Sequence, residues 1–265
     1  MLAHPLLAGL ALLLPLPDLL LLLTLMTPPA PHPHPPPRAP QILLILDVET
    51  TGLEPPQAEL CEIGAVLFSV AQRSTLQQLS FLLPVVSNAA QAINGIEPTL
   101  TLLPAPVQEA TVLLRALVRQ ADALVAHNAS FDRPWIEAYL DTAAHPDLQR
   151  PWICTCEGIS WEDVRPNPSL QGLALAHGVP IWAAHRALTD CIYLAAILER
   201  AAGLEQKLAE GLLPRRLVAA DLPFSRKQEA KEAGFRWQPE RKLWLRKLTD
   251  AQIQDLPFPT YEVEP

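Results

Sequence analysis

Asp47 and Glu49 stand two residues apart in ILLILDVETTGL (Ile42 to Leu53), directly behind five apolar residues. On an extended strand that spacing puts both side chains on one face. Two carboxylates on one face repel and raise each other's pKa unless cations lie between them. Hard Mg²⁺ takes oxygen ligands and keeps several waters, so one or two carboxylates per ion suffice. The same pair also reads as a polar strand end in water, and the D-x-E spacing alone does not separate the two readings.

Two later stretches carry the same kind of chemistry. In VAHNASFDRPW, Asp132 follows a short apolar strand and sits near a helix start, where an aspartate also serves as an ordinary N-cap. In HRALTDCIYLAAIL, His185 precedes Asp190 by five residues. Five helical residues turn about 500°, so the two share no helix face. His185 therefore belongs to the preceding loop and Asp190 to the first helical turn, unless the histidine is simply a surface residue. A histidine in such a loop can lean over a site to which the aspartate is fixed.

Taken in order, DVETTGL, HNASFD and HRALTD resemble the three motifs of the DEDDh (DnaQ-like) 3′–5′ exonucleases, the superfamily of the proofreading epsilon subunit of bacterial replicative DNA polymerase. The similarity runs from about Gln41 to Glu199 and takes in CEIGAV (Cys61 to Val66) and LQGLALAHGVP (Leu170 to Pro180). It implies a ribonuclease H-like mixed sheet flanked by helices. It also implies two Mg²⁺ or Mn²⁺ ions held by Asp47, Glu49, Asp132 and Asp190, with His185 as the base that deprotonates water. Thr50, Thr51, Leu53, Asn128 and Phe131 are the implied contacts to the terminal nucleotide, with the threonine hydroxyls toward the 3′ hydroxyl and Leu53 against a base. The implied partner is a single-stranded nucleic acid 3′ end, with any DNA polymerase acting in trans. The alternatives are an exoribonuclease, since one metal site serves both sugars, and a non-catalytic binding module of the same fold.

These residues need a scaffold, and the hydrophobic pattern supplies one. Gln41 to Asp47 reads as a central strand, apolar on both faces. Leu60 to Val70 and Thr75 to Leu83 read as antiparallel strands joined by the SVAQRS turn, and NAAQAINGIEP as a loop turning at Asn94-Gly95. Val107, Ala110, Val112, Leu113, Leu114, Leu117 and Val118 predict an amphipathic helix over Pro106 to Arg119. Ala123 to Asn128 and Trp152 to Cys156 are short strands. A helix opens at Ser130 or Asp132, another spans Ser169 to His177 before Gly178, and a long one runs from Ala187 through Ala202. Strands first, then alternating helices and strands, indicate an α/β fold with a mixed sheet.

The chain has 265 residues, 49% of them hydrophobic, enough for one medium core and a small second one. A net charge of -8 excludes a protein coated in basic surface for non-specific nucleic-acid binding, though not a metal-dependent nuclease. Four cysteines, none spaced C-x-x-C, predict reduced thiols in the cytoplasm, with neither a disulfide framework nor a zinc site. Residues 1–40 form a leucine-rich stretch and then a proline- and histidine-rich run, expected to lie outside the fold. Pro15, Pro17 and Asp18 interrupt the leucines, so membrane association is not expected unless that stretch is a genuine part of the protein; translation from Met26 is the competing expectation.

Charge also divides the chain. Residues 213–247 hold ten Lys/Arg against four Asp/Glu, whereas the residues before them hold ten against twenty. Hence residues 41–212 are expected to form the exonuclease domain and 213–265 a small basic αβ module. In that module RLVAADL and KLWLRKL are strands, and Ser225 caps a helix with Gln228 at the capping-box position. Phe224, Phe235, Trp237 and Trp244 interleave with its cations, either as the core of a tiny domain or as a surface for single strands.

Overall fold

A computed structural model describes residues 37–183 and 185–264. The leucine-rich stretch, most of the proline run and Met26 lie outside the described residues. Among the described residues no helix is long and apolar enough to cross a membrane.

The fold is built on a five-stranded mixed sheet of order β3-β2-β1-β4-β5. Its strands are β1 (Ile42–Thr50), β2 (Leu60–Ser69), β3 (Ser74–Leu82), β4 (Ala123–Ala126) and β5 (Trp152–Cys154). β1 is central: it pairs antiparallel with β2 and parallel with β4. The Asp122 carboxylate fixes its start by accepting the Gln41 and Ile42 amides at 2.8 and 2.9 Å. β1 runs three residues past the predicted end, so Asp47 and Glu49 lie within the strand, still paired to β2.

Strand alternation splits the core into two layers. Leu43 and Ile45 pack with Phe68 and with α6 (Ala187–Arg200), through Cys191 and Leu194. Leu44, Leu46 and Val48 pack on the opposite face against α3 (Val107–Gln120) and α4 (Ala129–Leu140). Asp47 and Glu49 continue the Leu43–Ile45 row, so they point toward α6. In α3 the inward residues include Leu114, Leu117 and Val118, while Val112 faces solvent, against its place in the predicted apolar stripe. The NAAQAINGIEP loop contains a single helical turn, α1 (Gln91–Asn94), closed by Gly95 at φ 67°, followed by α2 (Pro98–Thr101). A turn so short has no hydrophobic period to announce it. The remaining helices of this part are α5 (Leu170–Ala176), capped by the Ser169 side chain, and α7 (Leu204–Gly211).

A second sheet, of order β7-β8-β6-β9, holds β6 (Arg216–Ala220), β7 (Arg236–Gln238), β8 (Leu243–Leu248) and β9 (Thr260–Glu262). α8 (Lys227–Glu232) and α9 (Asp250–Gln254) accompany it. Ser225 does not cap α8. It lies in a 3-10 turn ahead of the helix, where Arg226 and Glu229 form a bidentate pair instead. The capping box of this region is Thr249 with Gln252 on α9. Its small core is Val218, Ala230, Phe235, Leu248 and Phe258, with Trp244 against it. The aromatics therefore divide: Phe235 is buried, whereas Phe224 and Trp237 are exposed.

The two sheets are stitched by polar contacts. Arg215 donates to the Gly158 carbonyl at 2.6 Å, and Asn167 to the Gly234 carbonyl at 2.6 Å. Arg236 lies 3.7 Å from the Glu157 carboxylate, and Gln252 donates to Glu210 at 3.3 Å.

Candidate active site

Asp47, Glu49 and Asp190 bring one carboxylate oxygen each to within 4.8 Å of one another. β1 supplies the first two from one face, and the first turn of α6 supplies the third. Among the described residues, one oxygen of Asp190 is buried without a hydrogen-bond partner. A buried, unpaired carboxylate oxygen facing two more acids is costly unless a cation meets it, so this donor set fits a divalent metal.

Asp132 lies outside that triplet but beside it. It is in the first turn of α4, whose N-cap is Asn128, so it is not the helix cap. Its carboxylate accepts the Val48 amide at 3.2 Å, which fixes it against β1 between the two strand acids. The charges reflect the crowding. Burial and then Asp132, Asp190 and Glu49 push Asp47 well above the usual carboxylate range. Burial, then Asp190 and Glu62, push Glu49 up to about 8. Burial raises Asp132 to about 7 against the opposing pull of the Val48 amide. Burial also raises Asp190, while the charge and amide of His185 draw it down.

His185 is exposed and precedes α6, as the five-residue spacing requires. Its φ of 58° is the left-handed region, uncommon for a residue with a Cβ, so the surroundings must hold it there. On its amino-terminal side the buried Tyr193 hydroxyl accepts the Trp182 and Ala183 amides at 2.8 and 2.9 Å and donates to the Ala183 carbonyl at 2.7 Å. On the other side Arg186 grips Glu62 with a two-pronged contact of 3.0 and 2.9 Å. Glu62 is 2% exposed, sits opposite Glu49 in the β1–β2 register, and also accepts the Ser80 hydroxyl and the Ala187 amide. Gly64, two residues on, leaves no room for a Cβ: one built there collides with the Ala187 backbone. That absence of a side chain lets α6 press directly on β2.

Glu62, Gly64, Arg186 and Tyr193 were missed by motif reasoning. The signal for Glu62 was present, as a lone acid in the otherwise apolar run LCEIGAV.

The five expected nucleotide contacts fall differently. Thr50 and Thr51 are buried and their hydroxyls are used inside the turn after β1: Thr50 donates to the Gly52 carbonyl at 2.5 Å, and Thr51 accepts the Glu59 amide at 2.9 Å. Leu53 is 81% exposed on the rim of that turn. Asn128 is exposed and accepts the Ser130 hydroxyl, while Phe131 is half-buried against Trp135.

Comparisons with known proteins bear on the family and the fold. The family model described as Exonuclease (RNase_T) matches residues 44–198, and the one described as Domain of unknown function (DUF8626) matches residues 216–263. A DNA polymerase III subunit epsilon of Treponema pallidum is 30% identical over 151 residues, covering 54% of this chain and 68% of that protein. A DNA polymerase III PolC-type of Thermotoga maritima is 29% identical over 170 residues, covering 62% of this chain. The chain spans only 12% of the length of that polymerase. Among solved structures, the nuclease domain of 3'hExo, a DEDDh family member bound to rAMP, superposes with a TM-score of 0.50 at 15% identity, covering 61% of this chain and 91% of that one. This chain belongs to the Exonuclease (RNase_T, DnaQ-like) family.

Proposed function

We propose that the chain is a metal-dependent 3′–5′ exonuclease that releases nucleotides from single-stranded 3′ ends, most simply of DNA, in proofreading or repair in the cytoplasm. The observation that carries this reading is the convergence of Asp47, Glu49 and Asp190 around an unpartnered Asp190 oxygen. The division of labour follows the chain: residues 41–212 are the nuclease and 213–265 an appended module.

In this reading Asp47, Glu49, Asp132 and Asp190 hold two Mg²⁺ or Mn²⁺ ions. Such ions, when bound, supply a charge sink for the leaving oxygen and a more acidic water. The chain's own residues do the rest. His185, exposed and close enough for its charge and amide to act on Asp190, takes the proton from the attacking water. The turn from Thr50 to Leu53 bounds the side on which the terminal nucleotide enters, Leu53 offering an apolar surface to a base. Phe131 and Asn128 border the same opening from α4. The epsilon relative supports a DNA polymerase as a partner in trans.

The test is digestion of 3′- and 5′-labelled DNA and RNA by the full chain with Mg²⁺. Asp47→Ala and His185→Ala are each expected to abolish mononucleotide release from the 3′ end while the far-ultraviolet spectrum is unchanged. Wild-type digestion rates in Asp47→Ala would overturn the reading. Release from RNA alone would move the substrate assignment to exoribonuclease.

A further inference from the structure

Between the first turn of α4 and the second sheet lies a cleft of about 330 Å³. Ser130 and Arg133 line it from α4, and Arg215 and Lys247 from the other side. Ser130 and Arg133 are three apart and share a helix face. Asp132, between them, is turned the other way onto Val48. One helical turn therefore presents a carboxylate to the candidate active site and a cation to this cleft.

The charge in the cleft is unbalanced. Arg215 donates to the carbonyls of Gly158, Glu210, Gly211 and Leu213 and, among the described residues, forms no ion pair with a carboxylate. Lys247 is exposed and likewise has no ion-pair partner among the described residues. Among the described residues Arg133 is paired only with the half-buried Glu137 of its own helix. The acid lining the cleft is Glu157, which already faces Arg236. Three cations thus meet one engaged acid, in a protein whose net charge is -8. Trp152 adds an aromatic side chain to the lining. Cations along a groove with an aromatic surface are the elements that hold a single strand by its phosphates and bases.

We infer that this cleft grips the sugar–phosphate backbone of the single strand whose 3′ end occupies the carboxylate site, so that the C-terminal module, through Arg215 and Lys247, is a substrate-holding element. The inference deepens the exonuclease reading and rests on it. Binding, however, is measured without cleavage, so the two fail separately.

The experiment uses the full chain, chelator to prevent digestion, and 5′-fluorescein single strands of about 20 nucleotides, longer than the span one such groove usually covers. DNA and RNA strands are run as separate arms. Anisotropy gives affinity as a function of salt for wild type, Lys247→Ala, the Arg133→Ala/Lys247→Ala double variant, and Arg119→Ala, an exposed cation elsewhere that pairs with Asp147. Removing one cation from a phosphate lowers the slope of log affinity against log salt by about 0.7 for a single strand. The expected result is a slope reduced by about 0.7 in Lys247→Ala and about 1.4 in the double variant, with Arg119→Ala at the wild-type slope. Equal slopes in all four proteins, an equal loss in Arg119→Ala, or no binding by wild type overturns the inference. Absence of nucleotide release by wild type with Mg²⁺ overturns the exonuclease reading instead, and the slopes still judge the cleft.

Discussion

Glu49→Gln is expected to make the metal-free protein more stable at alkaline pH while removing its nuclease activity. The folded protein holds the Glu49 proton up to about 8, against 4.5 for an ordinary glutamate, because burial and the charges of Asp190 and Glu62 disfavour the anion. The unfolded chain releases the proton first. Stability from this group is therefore complete below about pH 4.5 and is lost as pH rises through about 8. Each tenfold change in proton affinity is worth about 1.4 kcal/mol, so the loss has a ceiling of about 5 kcal/mol. Glu49 is half-buried and keeps access to water. About 2 kcal/mol is the expected share, or about 4–8 °C in Tm for a domain of this size. The assay is thermal denaturation in chelator at about pH 5 and about pH 8.5, the two sides of the titration. Wild type and Glu49→Gln should melt together at the lower pH and diverge at the higher, the variant melting later. Adding Mg²⁺ at the higher pH should raise the wild-type Tm, by about 2.7 kcal/mol of stabilisation at a hundredfold excess over Kd, and raise the variant less. Parallel pH dependences in the two proteins would refute the claim that these acids are crowded against their own charge.

Further substitutions, centred on Arg186, Tyr193 and Gly64, probe how the site is held. Arg186→Ala leaves Glu62 buried with only the Ser80 hydroxyl and the Ala187 amide; it should cost about 3 kcal/mol in urea denaturation, the low end for a broken buried pair because the guanidinium is half-exposed. Arg186→Lys should recover little, since an ammonium cannot form the two-pronged contact. Tyr193→Phe strands the Trp182 and Ala183 amides and should cost about 2 kcal/mol, with kcat falling more than KM rises as the segment before His185 loosens. Gly64→Ala drives a methyl into the Ala187 backbone and should cost about 3 kcal/mol with loss of nuclease activity, whereas Gly52→Ala, whose methyl meets Ala58 at 3.1 Å, should be far milder.

Much of the site was legible because its physics is local. Two acids on alternate positions of an apolar strand must share a face, and a histidine five residues before a helical acid must sit in the loop. Both statements need only the geometry of regular elements, and β1 and α6 have that geometry. What stayed hidden depends on partners far along the chain. Glu62 reads as a stray acid until Arg186, 124 residues away, is placed against it. Tyr193 looks like one more apolar residue of α6 until its hydroxyl meets the loop behind it. The Ser225 cap failed for a related reason: the sequence pattern fits, but the Arg226–Glu229 pair and a 3-10 turn claim that helix start. Likewise β7 and β9, three residues each, are too short to show a period and exist by pairing with β8 and β6. The threonines after Glu49 were read for their hydroxyls, which the turn itself consumes.

The contacts that bind the second sheet to the first bear on how this protein can be cut. Arg215 closes on backbone oxygens of the nuclease side, and Gly234 is tied back to Asn167. Ending the chain at Leu213 would remove the Arg215 donor and the Gly234 acceptor, stranding the Gly158 carbonyl and the Asn167 amide. The shortened polypeptide would then report injury to the nuclease body as much as loss of an accessory. Single surface substitutions, rather than excision, are the instrument suited to asking what the tail contributes.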